Sequence, residues 1–229
     1  TPESAVSSAR TLSGVRRTGM NLAVAERVLT YLREQQEPMA DLLRCLALVE
    51  SPSTDPAAQQ PVFDLLAERL AALDYRVDRL SGRLTGGVLY ARPQTRRRFA
   101  GVQMLLGHCD TVWPHGTLAT MPVTRDGARL AGPGVFDMKG GLVIGLYALE
   151  ALAALGIQPA LTPVVLVNSD EEIGSPESTR HVRRLAQAAQ RVFVLEPGYG
   201  PHGHLKTARK GVLRFDVMVH GKSAHAGLA

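Results

Sequence analysis

The chain has 229 residues, of which 45% are hydrophobic and 21% are charged, and its formal net charge is +5. A chain of this length and composition can bury a substantial core, so one domain, or one domain and part of a second, is expected. The basic balance does not indicate a nucleic-acid partner, because the sole dense run of bases, Arg96, Arg97 and Arg98, has no aromatic interleaving beyond Phe99 and is typical of a solvated turn.

The first segment, residues 1–20, is Ser-rich and aperiodic, which predicts a flexible N-terminal tail. It lacks the apolar core of a signal peptide, and no later stretch approaches the roughly 18 apolar residues of a membrane span. The two cysteines, Cys45 and Cys109, lie far apart and form no CxxC pattern, so neither a disulfide framework nor a thiolate zinc site is indicated. We therefore expect a cytoplasmic chain without membrane association.

From residue 21 onward, helical and extended patterns alternate. Apolar residues at helical spacing predict helices over residues 21–36, 39–50, 59–75 and 140–156. Short apolar runs predict strands at residues 87–93, 101–108 and 162–170. The last two runs are dense enough to be buried on both faces, so the chain is expected to form an α/β sheet covered on both sides.

Polar side chains follow the predicted strands at the ends where ligands gather in such sheets. Four segments each end in candidate ligands: His108 and Asp110, then Asp137, then Glu171 and Glu172, then Glu196. A single acid of this kind would be interpreted as a helix cap or a loop residue, but four together indicate a metal. Histidine and carboxylates without cysteine suit zinc, with manganese or cobalt as alternatives.

Two local spacings suggest which residues bind metal, which one orients a ligand and which one transfers protons. His108 and Asp110 are two apart in an extended segment and share one face, so Asp110 can accept the second ring N–H of His108 and orient it. Cys109 points to the other side and is interpreted as a small buried hydrophobe. Adjacent Glu171 and Glu172 point in different directions, so one can bind metal while the other transfers protons.

Five motifs occur in a specific order: GHCDTVWPHGT, GPGVFDMKGG, NSDEEIGS, LEPG and GKSAHAG. With them the chain resembles the zinc-dependent exopeptidase family of aminoacylases, acetylornithine deacetylase, succinyl-diaminopimelate desuccinylase and glutamate carboxypeptidases. The HxDTVxxxGT form is closest to the glutamate carboxypeptidase branch. The resemblance runs from about Asp41 to the end of the sequence.

The resemblance implies a three-layer α/β sandwich with a central mixed, mostly parallel sheet flanked by helices. An incomplete metallopeptidase catalytic domain would occupy residues 21–209. Residues 210–229 would begin an inserted α+β lid and dimerisation domain, and the chain would end before the rest of that domain and before a final histidine ligand.

The resemblance also implies a site of two zinc ions per complete subunit. Asp137 would bridge the two ions, His108 and Glu196 would complete one site, and Glu172 would serve the other. Glu171 would be the general base.

Three further features follow from the same resemblance. Asp110 would keep its orienting role, and His225 would stabilise the developing oxyanion in the partner subunit's site. The Asp137–Met138 peptide would be cis. The residues themselves, apart from the resemblance, leave two interpretations of Gly140 and Gly141 open. The glycines either let the next helix approach the metal strand closely or serve ordinary helix–sheet packing.

The expected function is hydrolysis of an amide bond in a peptide or N-acyl amino acid, by a water that two zinc ions activate. The expected partners are that small substrate and, in the complete protein, a second copy of the chain in a homodimer, without nucleic acid or membrane. Two alternatives stay open: an N-acyl amino acid deacylase, and a non-catalytic zinc-binding relative.

Overall fold

The protein is described by a computed structural model that covers residues 22–95, 101–200, 202–208, 210–211, 213, 215–222 and 227. The predicted tail of residues 1–20, the arginine run at 96–98 and His225 lie outside the described residues. The chain divides into two compact units at the Pro197–Gly198 junction. Among the described residues, no helix combines the length and the apolar content that crossing a bilayer requires.

The N-terminal unit contains all the helices and strands of the described residues. Six helices, α1 to α6, span Leu22–Glu34, Gln36–Ala47, Pro56–Ala72, Thr117–Thr120, Gly140–Ala154 and Thr179–Ala188. Seven strands, β1 to β7, span Tyr75–Leu80, Val88–Pro93, Val102–His108, Thr124–Asp126, Arg129–Ala131, Thr162–Asn168 and Ala189–Val194. Every helix and strand predicted from periodicity is confirmed to within three residues at each end.

No helix or strand was predicted for β1, α4, the β4–β5 hairpin, α6 or β7. β1 lies at the edge of the sheet and buries only Tyr75 fully, so it has no continuous apolar run. α6 has a mostly polar sequence with no fully buried residue. β1 is recognisable only from its pairing with β2, and α6 only from its packing on the sheet.

The main sheet has five strands in the order β1-β2-β6-β3-β7. β3 pairs in parallel with both β6 and β7, whereas β2 pairs antiparallel with both β1 and β6. Four of the five strands therefore run in one direction and β2 runs against them. This is the mixed sheet that was expected, with its parallel part at the β6, β3 and β7 side.

Helices cover both faces of the sheet. Because successive side chains of a strand point to opposite faces, each central strand contributes to two cores. Val165 and Val167 of β6 face the larger core, which includes side chains of α2, α3 and α5. Val164 and Leu166 face the opposite side, where they pack with α6. Each such fully buried side chain contributes about 1.5–3 kcal/mol. The result is the three-layer arrangement that was expected.

The C-terminal unit begins at Gly198. Tyr199 and His204 pair in a short antiparallel bridge, and the rings of His202 and His204 meet edge to face with centroids 5.9 Å apart. Beyond the bridge, the described residues of this unit are exposed and form no helix or strand. The boundary expected between residues 209 and 210 stays a prediction.

Candidate metal centre

The three parallel strands deliver polar side chains to one edge of the sheet. His108 ends β3 and pairs with Asn168, which ends β6. Leu106 of β3 pairs with Val194, which ends β7. The chain then continues into a single 3-10 turn, Glu171–Ile173, after β6 and reaches Glu196 after β7. Because parallel strands end together, His108, the glutamate pair and Glu196 are brought to the same edge.

Asp137 reaches the same place from a kinked segment, Val135–Lys139, that precedes α5. The Asp137–Met138 peptide is cis, as the resemblance implied. A Cβ atom at Gly141 in the first turn of α5 would collide with the carbonyl oxygen of Leu195. The missing side chain therefore lets α5 lie directly against the residue before Glu196, which favours the close-approach interpretation of this glycine.

The side chains converge on Nε2 of His108. This atom lies 3.3 Å from Asp137 Oδ1, 3.3 Å from Glu196 Oε1 and 4.0 Å from Glu171 Oε2. Two overlapping sets of potential metal ligands have their ligand atoms within 4.8 Å of one another. These sets are His108 with Glu171 and Glu196, and His108 with Asp137 and Glu172.

The geometry of His108 fits a metal ligand. Its side chain is 1% exposed, and Nε2 has no hydrogen-bond partner among the described residues, since neither 3.3 Å contact has hydrogen-bond geometry. A buried polar atom left unpaired costs about 1–3 kcal/mol. A divalent cation between Nε2 and the surrounding carboxylates would pair the ring nitrogen and neutralise the acids.

The other ring nitrogen of His108 fixes the tautomer. Nδ1 lies 3.0 Å from the backbone oxygen of Asp110 and 3.2 Å from its Oδ1. Both partners are acceptors, so Nδ1 carries a proton and donates it. In the neutral ring, Nε2 then has a lone pair directed at the carboxylate cluster, as a metal ligand requires.

Asp110 also holds the glutamate pair in place. Its Oδ1 accepts from the backbone N–H of Glu171 and its Oδ2 from that of Glu172, both at 3.2 Å. Oδ2 also accepts a hydrogen bond from Ser53 Oγ at 2.7 Å. Ser53 was not predicted as a site residue, because nothing in the local sequence distinguishes it from an ordinary loop serine.

Burial and mutual repulsion shift the pKa values of Asp137, Glu171 and Glu172 upward. Burial, with the charges of Asp137 and other nearby acids, raises the pKa of Glu172 to about 7. Burial and Glu196 raise the pKa values of Asp137 and Glu171. The acids therefore resist full ionisation without a cation beside them.

Nearby charges also shift the pKa values of His108 and of its partner Asp110. Burial opposes protonation of His108, but the carboxylates of Asp110 and Glu196 outweigh it and raise its pKa to about 11. Without a metal, Nε2 therefore carries a second proton near neutral pH, and a bound cation would replace that proton and leave the neutral ring described above. For Asp110 itself, burial is outweighed by the hydrogen bonds from His108 and Ser53, and its pKa is lowered. Asp110 therefore stays ionised, as its orienting role requires.

Two further buried groups adjoin the cluster. Lys139 is 1% exposed, and its Nζ donates to the backbone oxygen of Val49 at 2.7 Å, while burial lowers its pKa to about 8. This hydrogen bond between the Asp137 segment and the loop after α2 was not predicted, because a lysine beside glycines is typical of a surface loop.

Cys109 is fully buried, and burial keeps its thiol pKa well above the usual value.

The structure thus brings together all the predicted site residues except His225, which lies outside the described residues. The residues that converge are His108, Asp110, Asp137, Glu171, Glu172 and Glu196. Glu171 falls in one potential ligand set and Glu172 in the other, so the division into base and ligand stays a prediction.

Known proteins of similar sequence include a carboxypeptidase and several desuccinylases. The chain is 30% identical over 199 residues to carboxypeptidase G2 of Pseudomonas sp. (strain RS-16), covering 86% of this chain and 47% of that protein. It is 33% identical over 175 residues to succinyl-diaminopimelate desuccinylase of Alkalilimnicola ehrlichii, covering 70% of this chain and 44% of that protein. The chain therefore spans less than half the length of either relative.

Solved structures share the fold. Human carnosine dipeptidase 1 matches with a TM-score of 0.65 at 19% identity, over 76% of this chain and 41% of that one. An M20 family metallo-carboxypeptidase from Sulfolobus solfataricus matches with a TM-score of 0.57 at 18% identity, over 72% of this chain and 38% of that one. At the level of sequence, residues 104–219, just over half of the chain, match the model of peptidase family M20/M25/M40. The chain belongs to this family.

Proposed function

We propose that the protein is a zinc-dependent amidohydrolase that cleaves an amide bond in a small peptide, in the manner of a carboxypeptidase. The main supporting observation is the buried Nε2 of His108, which has no hydrogen bond within the described residues and faces carboxylates 3.3 Å away. In a core without metal, an unpaired nitrogen of this kind would lower the stability of the fold, whereas in a metal site it serves as a ligand.

His108, Asp137 and Glu196 would hold one zinc ion, and Asp137 with Glu172 would hold the other, with Asp137 as the bridge. Cobalt or manganese could take the same ligands. When bound, the ions supply Lewis acidity for the scissile carbonyl and make a water molecule acidic near neutral pH. Asp110 keeps His108 in the tautomer that presents Nε2, through the contacts at Nδ1.

Glu171 would act as the general base. Its side chain is about half exposed, at 49%, so water and substrate can reach it, and its Oε2 lies 4.0 Å from His108 Nε2. Its raised pKa suits a carboxylate that takes a proton from water and returns it to the leaving nitrogen. The backbone hydrogen bond from Glu171 to Asp110 keeps the carboxylate near the metal ligands without involving the carboxylate itself.

The rest of the proposed organisation depends on the family resemblance. Residues 21–209 would be the catalytic domain and residues 210–229 the start of the lid and dimerisation domain. His225 would stabilise the oxyanion across a homodimer interface. The two cysteines are both free, which favours a reducing compartment such as the cytoplasm.

A second candidate function is removal of an acyl group from an N-acyl amino acid. The desuccinylase relatives at 33% identity favour it, because their name describes the hydrolysis of an amide that carries a succinyl group. The two candidates share one site and differ only in the group on the carbonyl side of the cleaved bond.

The proposal is tested on the full-length protein by measuring bound metal and hydrolysis together. We expect zinc to copurify or to be taken up at two ions per subunit, and a chelator to remove activity that added zinc restores. Dipeptides and N-acyl amino acids, assayed side by side, separate the two candidates. Bound zinc without hydrolysis of any of these substrates would contradict the proposal and identify a non-catalytic zinc-binding relative.

A further inference from the structure

A cavity of about 590 Å³ opens beside the candidate metal centre, and the mechanism above does not use it. Its walls come from three segments: residues 52–56 between α2 and α3, residues 111–115 after β3, and the turn with Glu172 and Ile173. Glu172 lines this cavity and also belongs to one of the potential ligand sets. A substrate bound at the metal centre can therefore place a side chain in the cavity.

The walls of the cavity are joined to one another by hydrogen bonds. His115 Nε2 lies 2.7 Å from Asp55 Oδ2, which links the second wall to the first. At the base of the same loop, the carboxylate of Glu50 accepts from the backbone N–H groups of Gly116 and Leu118 at 2.8 and 2.9 Å. These ties fix the width of the cavity, so a ligand does not have to order its walls.

Apolar side chains make up about half of the lining. They are Pro52, Pro56, Val112, Pro114 and Ile173. Val112 is 63% exposed and Ile173 is 44% exposed, so both have apolar surface that a ligand could cover. Covering such surface with an apolar group is favourable because it removes both surfaces from water.

The charged groups of the lining already have partners. Asp55 Oδ1 accepts from the backbone N–H groups of Ala57 and Ala58, and its Oδ2 contacts His115. Glu172 is a proposed metal ligand. No lysine or arginine is among the described residues that line the cavity. A carboxylate that entered would lose water and would meet Asp55 and Glu172, while the imidazole of His115 already contacts the carboxylates of Asp55 and Glu50.

We propose that this cavity is a specificity subsite that accepts an uncharged, apolar side chain of the substrate and rejects an acidic one. The inference rests on the proposed function, because it assumes that an amide substrate is held at the adjacent metal centre. It adds the chemical class of one substrate side chain, which the metal ligands by themselves do not determine.

Trp113 offers a test that does not depend on metal or turnover. It is the sole tryptophan of the 229 residues and lies between Val112 and Pro114, which both line the cavity. In the zinc-free full-length protein, titration with N-acetyl-leucine amide should change the fluorescence saturably, and the change should be absent in Trp113→Phe. N-acetyl-glutamate α-amide, in which only the side chain is acidic, should bind at least about tenfold more weakly. Equal binding of the two ligands, tighter binding of the acidic one, or no response to either would overturn the subsite.

A charge introduced on the rim makes the test sharper. In Val112→Arg, the added cation should narrow or reverse the tenfold preference for the apolar ligand. Leu29→Arg is the matched control, since Leu29 is also exposed, at 48%, and lies on α1 away from the cavity lining. If the ratio of the two affinities changed equally in both variants, net charge and not the cavity would set the preference, and the inference would be wrong.

Hydrolysis assays keep this inference separate from the proposed function. With zinc bound, substrates that differ only in an apolar or acidic side chain should differ in kcat/KM in the same order as the binding results. Hydrolysis of both substrates with equal kcat/KM would contradict the subsite and would leave the proposed function supported. Selective binding at Trp113 without hydrolysis would instead support the subsite and contradict the catalytic proposal.

Discussion

Ser53 Oγ lies 2.7 Å from Asp110 Oδ2, and both residues are buried. The same aspartate contacts Nδ1 of His108 and accepts from the backbone N–H groups of Glu171 and Glu172. A serine that is 57 residues earlier in the chain thus helps to hold the carboxylate that orients three residues of the candidate metal centre.

Ser53→Ala should weaken zinc binding in the full-length protein. Loss of the hydrogen bond leaves Asp110 less constrained. Removing the direct partner of a ligand typically costs about 10–100-fold in metal affinity, and because Ser53 acts through Asp110 we expect a loss of up to about 10-fold. Ser51→Ala is the matched control, because Ser51 Oγ donates to the backbone oxygen of Cys109 at 2.7 Å and does not touch Asp110. Competition with a zinc chelator measures both variants; equal losses would show that Ser53 acts only through general stability.

The proposed division of the glutamate pair predicts different outcomes for two matched substitutions. Glu171→Gln should keep its bound zinc and lose about 10²–10⁴-fold in turnover, because it removes a general base. Glu172→Gln should lose affinity for one of the two ions. Metal analysis and an activity assay on each variant decide the matter, and loss of zinc in Glu171→Gln would reverse the assignment.

Gly141→Ala should destabilise the protein. The new methyl group would collide with the backbone oxygen of Leu195, and such overpacking costs about 1–3 kcal/mol, more than the gain of up to about 1 kcal/mol from better helix propensity. The denaturant midpoint should fall, and zinc binding should weaken because Glu196 follows Leu195. Gly211→Ala is the control, since a Cβ there meets nothing within 4 Å. Similar midpoints for the two variants would show that α5 adjusts without cost.

His115 should make stability fall as the pH rises above about 6.5, the ordinary pKa of histidine. Its hydrogen bond to Asp55 raises its pKa despite the opposing effect of burial, and Glu50 adds to the increase. A raised pKa means that the stabilisation is fully present below the unfolded value of about 6.5 and is lost as the pH rises through the folded value. The denaturant midpoint of the wild-type protein should therefore fall more between about pH 6 and pH 9 than that of His115→Gln. Parallel curves for the two proteins would contradict this.

The sequence by itself determined the elements whose signal is local. The apolar runs of β3 and β6 are continuous because both strands are buried on both faces. The segment of α5 is a run of 15 mostly apolar residues, longer than a typical strand, which indicates a buried helix. The candidate ligands could be found as well, because all but Asp137 follow an apolar segment at the end where polar groups of an α/β sheet collect, and Asp137 lies just before α5. His108, Asp137, Glu171, Glu172 and Glu196 needed only that rule and the motifs around them.

The tertiary structure alone decided which distant groups meet. The strand order sets β3 between β6 and β7, and only this order brings His108, the glutamate pair and Glu196 together. The partners of Ser53 and Lys139 are 57 and 90 residues away, so no periodicity or motif could indicate them. The edge strand β1 is stabilised by its pairing with β2, and the polar helix α6 is stabilised by packing on the sheet. Local patterns predict elements and candidate residues, whereas contacts between segments far apart in the chain produce the site.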